Sequence, residues 1–361
     1  MKLQGVETHQ SRGFSDQERQ AMTAALELAA RGIRGANPLV GAVILNRAGT
    51  VLGSGYHRGA GTPHAERDAI ADARKRGSKI QGATMVVTLE PCNHTGRTAP
   101  CTEAIIEAGI SRIIYAVHDI SHTAAGGSET LQNAGIEVQA GLLEDEAARL
   151  NRRWFDAVGT ARPFTTLRMA HTLDAQIAAK DGTSQWITGP EARRDSHQLR
   201  GRVDAILVGT GTMLADNPRL NARDENGAPA ASQPLRVVMG HRDIPAGAAV
   251  CNESNDGGGG FVHYSTHDPR HVGSELHARG VRHLMIEGGS RVSSAFLAAG
   301  LVDEIIIYLA PAFLGRGIPA LGDLGITSLS QAQHWDWDHV GRGCAVPLGR
   351  DLRLQLEPAK Q

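Results

Sequence analysis

Cysteines, aromatic residues, unbalanced charge and long apolar runs are all scarce in this sequence of 361 residues. Its four cysteines are too few and too scattered for a disulfide scaffold in a chain of this length. With 37 basic and 38 acidic residues the net charge is −1, so no electrostatic footprint for nucleic acid or an anionic membrane is present. No apolar run approaches the ~18 residues of a membrane span, and the N-terminal residues lack the apolar core of a signal peptide. We therefore expect a cytoplasmic protein with reduced thiols and no nucleic-acid or membrane partner.

The length and the order of the sequence patterns predict two α/β domains. A chain of 361 residues is long for one core, and the segment 150–164, punctuated by Gly159 and Pro163, interrupts the pattern. We expect domains at 1–160 and 161–361. In each half, apolar β-branched runs alternate with segments of helical periodicity, which indicates sheets with helices on both sides.

Individual elements follow from local signals. Ser15 and Glu18 form the S-x-x-E pattern of a capping box and predict a helix over 16–31, and two strands are predicted at 37–46 and 51–57. The remaining elements of the first half are helices starting at 63, 102 and 129 and strands at 83–92, 111–119 and 136–143. In the second half we expect strands at 164–173, 203–211, 234–240, 281–289 and 302–311, helices at 190–201 and 290–300, and a mobile surface loop at 253–260.

Three residues of the first half have the chemistry of a catalytic zinc site. Cys92 ends a strand, Cys101 begins a helix whose N-terminus favours the thiolate, and His64 begins the helix after Pro63. Together they would supply three ligands and leave one position for water, and Glu66 is placed to move protons. A histidine and a glutamate at a helix start can also be no more than a solvated first turn, so the set of residues carries the prediction.

These motifs resemble the deaminase half of the bifunctional riboflavin-biosynthesis deaminase/reductases. The matching elements are H-A-E at 64–66, T-L-E-P-C-x-H-x-G-R-T-x-P-C at 88–101, N-P-L-V-G at 37–41 and G-x-G-x-H at 53–57. The resemblance implies a cytidine-deaminase-like α/β/α domain with zinc on His64, Cys92 and Cys101 and Glu66 as the catalytic residue. It also implies that a ribosylamino-pyrimidine phosphate is bound by Asn37, His57, His94, Arg97 and Asp119. One element departs from the family, because Ile120, Ser121 and His122 replace the P-N-P that follows the aspartate.

The second half resembles the reductase half of the same family, whose fold is similar to dihydrofolate reductase. The matching stretches are 163–178, 183–200, 205–223 and the I-E-G-G-S at 286–290, and no strand–GxGxxG–helix unit of a Rossmann fold is present. The resemblance implies NADPH as cofactor, held by Ala170, Trp186, Thr212, Asp216, Gly289, Ser290, Arg291, Val292, Ser293, Ser294 and Ala295. It implies that the sugar phosphate is held by Ser184, Arg200, Leu220, Arg223 and Glu287. Arg168 and Ala175 stand where the family commonly has lysine and glycine.

The sequence thus predicts a homo-oligomeric enzyme that deaminates a 2,5-diamino-6-ribosylamino-pyrimidinone phosphate and then reduces its ribosyl group with NADPH. Three alternatives stay open. The departures from the family pattern would leave only one half active, or the chain would be a non-catalytic remnant that binds ligands. A nucleic-acid base deaminase is the third alternative, against which the neutral charge and the attached reductase-like half both argue.

Overall fold

The computed structural model describes residues 13–32, 37–59, 62–93, 99–120, 126–230, 232–252, 259–337 and 344–359. The chain divides into two compact units, Met1–Phe155 and Asp156–Gln361. Most of the predicted loop at 253–260 lies outside the described residues. No helix among the described residues is long and apolar enough to cross a membrane.

The first unit is a five-stranded sheet with helices on both faces. Its order is β2-β1-β3-β4-β5; β1 is antiparallel to both of its neighbours, and the β3, β4 and β5 strands are parallel. The strands are β1 Gly41–Leu45, β2 Val51–Tyr56, β3 Thr84–Leu89, β4 Arg112–Val117 and β5 Glu137–Ala140. The helices are α1 Asp16–Ala29, α2 Ala65–Lys75, α3 Cys101–Glu107, α4 Gly127–Asn133 and α5 Glu144–Leu150.

Packing in the first unit explains two glycines of the family motifs. The alternation of β1 sends Val43 towards α1 on one face of the sheet and Ile44 towards α2 on the other. A Cβ on Gly41 would lie 2.0 Å from the carbonyl oxygen of Ala25 in α1, and one on Gly55 would lie 2.3 Å from the backbone nitrogen of Ala69 in α2. Both helices can therefore approach the sheet only because these strand positions have no side chain.

The second unit is built on a larger mixed sheet of order β10-β9-β8-β11-β6-β12-β16-β14, with β15 also paired to β16. Strands from β10 to β12 along this order are parallel, and β16 pairs antiparallel with β12, β14 and β15. The strands are β6 Phe164–Thr172, β7 Gln176–Ala178, β8 Ala205–Gly209, β9 Leu235–Met239, β10 Phe261–Tyr264, β11 His283–Ile286, β12 Glu304–Ala310, β13 Ile318–Pro319, β14 Trp335–Trp337, β15 Ala345–Leu348 and β16 Asp351–Pro358. The helices are α7 Pro190–Arg200, α8 Thr210–Asp216, α9 Pro269–Ala278 and α10 Ser290–Ala298, and α6, Arg152–Thr160, contains the division between the units.

Apolar side chains cover both faces of this second sheet. On one face α9 and α10 pack through Leu276 and Phe296 against Leu207 and Ile286. On the other face Val208 and Met285 pack with Met213 of α8. The predicted α/β class is confirmed for both halves.

Several elements differ from the prediction. The segment 150–164 contains α6 rather than an irregular junction, and α5, α8 and α9 were not predicted. Strand β1 begins at Gly41 and not at residue 37, because Leu39 pairs its backbone with a side chain: its N–H donates to Asn151 Oδ1 at 2.8 Å and its carbonyl accepts from Asn151 Nδ2 at 2.9 Å. The asparagine amide thus replaces a neighbouring strand at that residue.

Candidate active sites

The three predicted zinc ligands come together in the first unit. His64 is the N-cap of α2, Cys92 lies three residues beyond β3, and Cys101 is the first residue of α3. His64 Nδ1 is 3.5 Å from the sulfur of Cys92 and 3.4 Å from that of Cys101, and the three donor atoms lie within 4.8 Å of one another. In the described part of the chain no other cluster of histidine, cysteine and carboxylate side chains has this compactness.

This donor set fits zinc. Tetrahedral Zn²⁺ with ordinary Zn–S and Zn–N bond lengths separates a sulfur and a nitrogen ligand by about 3.6 Å, close to the two distances above. Hydrogen bonds from Cys101 and His64 hold the pKa of Cys92 well below that of a free thiol, which favours the thiolate form that binds zinc. Neither Cys92 nor Cys101 is in a disulfide, and two sulfurs with one imidazole leave a fourth position open.

Glu66 is buried beside this donor set. It lies in the first turn of α2, two residues after His64. Burial and the negative charge of Cys92 raise the pKa of its carboxyl group, so this carboxyl group holds a proton more readily than an exposed one. A buried carboxyl group next to a metal site is suited to passing protons between water and a leaving group.

Asn37 and His57 form a hydrogen-bonded pair next to the metal ligands. The Nδ1 atom of His57 lies 3.2 Å from the carbonyl oxygen of Pro63, which can only accept, so Nδ1 carries the proton. Its Nε2 atom then accepts from Asn37 Nδ2 at 3.0 Å, and the His57 ring lies 5.4 Å from the His64 ring. Burial lowers the pKa of His57, which keeps the ring neutral in this arrangement.

Glu90 connects the two ends of the turn that departs from the family pattern. Its Oε2 atom accepts from the backbone N–H of Asp119 at 3.3 Å, and its Oε1 atom accepts from the backbone N–H and the hydroxyl of Ser128 at 2.9 and 2.7 Å. Burial alone would raise the pKa of Glu90, but these hydrogen bonds, with one from His118, outweigh burial and lower it. The carboxylate thus fixes where the chain enters and leaves 120–127.

Not every predicted residue of this site can be placed. Asp119 is buried next to Glu90. His94 and Arg97 lie outside the described residues, as do Ser121 and His122. Glu90 lies within the motif at 88–101 but was not predicted to have a role. A carboxylate at the end of a buried strand could have predicted one, because an ionised side chain there needs hydrogen-bond partners.

The second unit contains a cavity of about 870 Å³ at the carboxyl ends of its parallel strands. This volume lies within the ~300–1,000 Å³ that ligand pockets occupy. Residues predicted to hold NADPH that line it are Thr212, Asp216, Gly289, Ser290, Arg291, Val292 and Ala295. The hydroxyl of Thr212 accepts from the backbone N–H of Gly289 at 3.0 Å and so links the first turns of α8 and α10. The helix start at Ser290 offers free backbone N–H groups to a phosphate, which fits a dinucleotide.

Of the other predicted residues of this half, one lines the cavity and several do not. Ser184, predicted for the sugar phosphate, lines the same cavity and is hydrogen-bonded to Asp216. Trp186 is 68% exposed and stacks under Arg193 at 4.5 Å. Ala170 packs against the core, and Ser293 and Ser294 are buried and use their hydroxyls within the fold, so none of these three lines the cavity.

Arg200 and Glu287 form a buried bidentate ion pair near the cavity. Arg200 Nε donates to one oxygen of Glu287 at 2.7 Å and its terminal nitrogen donates to the other at 2.6 Å. Burial alone would raise the pKa of Glu287, but the charge and hydrogen bonds of Arg200 outweigh burial and lower it to about 2. Arg168 lies 4.0 Å from the same carboxylate and over the ring of Tyr308, so its charge belongs to this group.

Asn221, His197 and Arg223 interact with this ion pair or with each other. Arg200 also donates to the carbonyl oxygen of Asn221, which lies between the predicted Leu220 and Arg223. Burial and the charge of Arg200 lower the pKa of His197 to about 4, and the charge of Arg223 acts in the same direction. His197 was missed by the sequence reasoning, although it lies three residues before Arg200 on one face of α7.

Comparison with known proteins identifies the family. The sequence profile of the RibD C-terminal domain matches residues 163–345, and that of the cytidine and deoxycytidylate deaminase zinc-binding region matches residues 15–117. The riboflavin biosynthesis protein RibD of Mycobacterium tuberculosis is 42% identical over 320 residues, which cover 88% of this chain and 90% of that protein. The chain belongs to the RibD family. Its members combine a zinc-binding deaminase domain with a reductase domain that uses NADPH, so the predicted family, bifunctional activity and cofactors are confirmed.

Solved RibD structures agree over nearly the whole chain. RibD of Acinetobacter baumannii is 34% identical with a TM-score of 0.84 and covers 95% of this chain and 99% of its own. A diaminohydroxyphosphoribosylaminopyrimidine deaminase/5-amino-6-(5-phosphoribosylamino)uracil reductase of Thermotoga maritima is 32% identical with a TM-score of 0.79, at the same coverage. The agreement thus extends through both halves of the chain.

Ala175, one of the departures that the sequence indicated, has an uncommon backbone conformation. Its φ is 57°, in the left-handed region that favours glycine. The turn is nevertheless formed: Ala175 donates to the carbonyl oxygen of Thr172 and accepts from Ala320. Asp174 holds the neighbouring segment by accepting from the backbone of Gly315 at 2.7 Å.

Proposed function

We propose that the first unit removes ammonia from a 2,5-diamino-6-ribosylamino-4(3H)-pyrimidinone 5′-phosphate and that the second reduces the ribosyl group of the deaminated product to ribityl with NADPH. The observation that carries the first half is the convergence of His64, Cys92 and Cys101 at zinc distances beside the buried Glu66. The second half is supported by the cavity, whose wall includes the helix start at Ser290.

In the deaminase, His64, Cys92 and Cys101 would hold the metal and Glu66 would handle protons. Zinc, when bound, supplies a nucleophile near neutral pH because it lowers the pKa of water. Glu66 would accept a proton from the attacking water and deliver a proton to the departing 2-amino group, so that ammonia leaves and a carbonyl remains on the ring. Burial of this carboxyl group keeps bulk water from competing for its proton.

The polar groups around the metal would orient the pyrimidine. The Asn37 amide and the His57 ring are fixed by each other and by Pro63, so they form a rigid surface next to His64. We further propose that Asp119 holds the ribose end and that His94 and Arg97, which lie outside the described residues, pair with the base and the phosphate. A fixed surface lowers the entropy lost when the substrate is aligned.

In the reductase, the residues of this chain position the two reactants. NADPH would lie along Thr212, Asp216 and the first turn of α10, and it supplies the hydride that reaches the ribosyl C1. Arg200 and Arg223 would bind the sugar phosphate, with Ser184, Leu220 and Glu287 around them. The Glu287 carboxylate holds the Arg200 guanidinium in one orientation, which a bidentate pair does better than a single contact.

The substitution Glu66→Gln tests the first half. We expect deamination to fall by roughly 10²- to 10⁴-fold, with zinc content by elemental analysis unchanged and NADPH consumption intact when the deaminated product is supplied. Glu103→Gln is the matched control, because Glu103 is an exposed carboxylate in the first turn of α3 and should leave both activities unchanged. Normal deamination by the zinc-loaded Glu66→Gln protein would overturn the assignment.

The second half fails if the wild-type protein does not oxidise NADPH when the deaminated compound is supplied.

We also propose a functional boundary after residue 160, where α6 ends, and a cytoplasmic homo-oligomer. Light scattering during gel filtration measures the oligomeric state, and a monomer at micromolar concentration contradicts it.

A further inference from the structure

The reductase cavity has a second wall that the sequence motifs did not include. The residues of that wall are His241, Arg242 and His267. His241 and Arg242 follow the end of β9, and His267 follows the end of the parallel neighbour β10. Because carboxyl ends of parallel strands meet at one edge, these side chains lie next to the loops after β8 and β11.

These three cavity-lining side chains, here called the cluster, include two imidazole rings in contact. The rings of His241 and His267 are 4.6 Å apart in an edge-to-face arrangement, and His241 Nδ1 lies 3.2 Å from the hydroxyl of Ser265. The guanidinium of Arg242 lies over Gly211 in the first turn of α8, where an added Cβ would be only 2.8 Å from its terminal nitrogen. Gly211 therefore leaves the room through which Arg242 reaches the cavity.

The cluster carries positive charge that the protein does not neutralise. Among the described residues no carboxylate lies within ion-pair distance of Arg242, and the one acidic residue of the cavity wall is Asp216. The Asp216 carboxyl group is hydrogen-bonded to Ser184 rather than paired with Arg242. An exposed guanidinium on the same cavity wall as two imidazoles can donate to a phosphate monoester, which accepts several hydrogen bonds at once.

The order of the strands indicates which phosphate group of NADPH would lie against the cluster. The strands run β10-β9-β8-β11-β6, and the Arg200–Glu287 pair with Arg168 lies at the β11 and β6 end. The reacting end of NADPH has to be near that end, where the sugar is bound. The pyrophosphate then crosses the first turn of α10 in the middle, and the adenosine end reaches β9 and β10.

We propose that Arg242, with the rings of His241 and His267, binds the 2′-phosphate of NADPH and makes the reductase select NADPH over NADH. This inference rests on the proposed reductase function and adds to it the residues that discriminate between the two nucleotides. An arginine that pairs with the 2′-phosphate is a general solution to this discrimination in dinucleotide sites.

Direct binding of nucleotide fragments to the full-length protein tests the proposal without any turnover. Calorimetric titration compares 2′,5′-ADP, which carries the 2′-phosphate, with 5′-ADP, which lacks it. We expect the wild type to prefer 2′,5′-ADP, and Arg242→Gln to weaken 2′,5′-ADP by about 10- to 100-fold while 5′-ADP changes less than about twofold. Arg350→Gln, which removes an exposed arginine outside the cavity, should change neither affinity.

Gly211→Ala is a second variant, which keeps the arginine at position 242. The Cβ added at position 211 would displace the Arg242 guanidinium, so we expect the same selective loss of 2′,5′-ADP affinity on a smaller scale. Equal affinity of the wild type for the two fragments, or an equal loss of both in Arg242→Gln, overturns this inference and leaves the reductase assignment standing. No binding of either fragment or of NADPH by the wild type would refute the reductase assignment itself.

Discussion

Replacing Ala175 by glycine should stabilise the second unit, although glycine usually destabilises. The φ of 57° places Ala175 in the left-handed region, which costs an L-residue roughly 1–2 kcal/mol. Glycine avoids that cost but loses about 0.5–1 kcal/mol more chain entropy on folding. Ala175 is exposed, so no packing is lost with its methyl group. The net expectation is a gain of roughly 0.5–1 kcal/mol, or about 1–4 °C in Tm for a unit of this length.

The assay is thermal unfolding of the full chain, followed by circular dichroism at a fixed scan rate. Ala278→Gly is the matched control, because Ala278 is an exposed helical residue at the end of α9 and should lower Tm by a similar amount. The two substitutions are chemically identical, so only the backbone conformation distinguishes them. A decrease in Tm for Ala175→Gly as large as that for Ala278→Gly would refute the reasoning.

Three further predictions concern the two sites. Cys92→Ser should lower the zinc content of the purified protein and abolish deamination while NADPH consumption persists; a full complement of zinc would contradict the ligand assignment. Glu287→Gln should lower the unfolding free energy of the second unit by about 3–5 kcal/mol in urea titrations, because it leaves the buried Arg200 charge without its partner, and an unchanged midpoint would count against a buried pair. Because His197 has a pKa of about 4 in the folded protein and an ordinary value near 6.5 when unfolded, the unfolded chain binds the extra proton between these pH values. Stability should therefore fall by roughly 2–3 kcal/mol as the pH drops from about 6.5 to about 4, and His197→Gln should flatten this part of the pH profile; parallel profiles for the two proteins would argue against it.

Local chemistry made much of the first unit predictable. The capping box of Ser15 and Glu18 is formed as the sequence indicates, and the helix start at His64 and the strand end before Cys92 follow from short-range patterns. The zinc ligands were predictable for the same reason, since each lies at the end of an element or within a few residues of one. The start of β1 was not, because the pairing of Leu39 with Asn151 joins residues 112 positions apart.

The second unit shows where a single sequence is insufficient. The strand pairings of β16, which lies between β12 and β14, depend on side-chain packing from distant parts of the chain. The cluster of His241, Arg242 and His267 has no motif, and its members become neighbours only because β9 and β10 are adjacent and parallel. A helical spacing on α7 would have suggested His197, but nothing in the sequence indicates that Glu287 is its neighbour.

The zinc ligands also matter for how the first unit holds together. His64 and Cys101 are 37 positions apart, so a metal ion held by both closes a loop of that length as a disulfide would. A cross-link of this span restricts the unfolded chain by an amount equivalent to about 4 kcal/mol. In a cell short of zinc, a smaller fraction of this unit would then be folded, and deamination would be lost as well. Proteases would degrade the molecules that unfold.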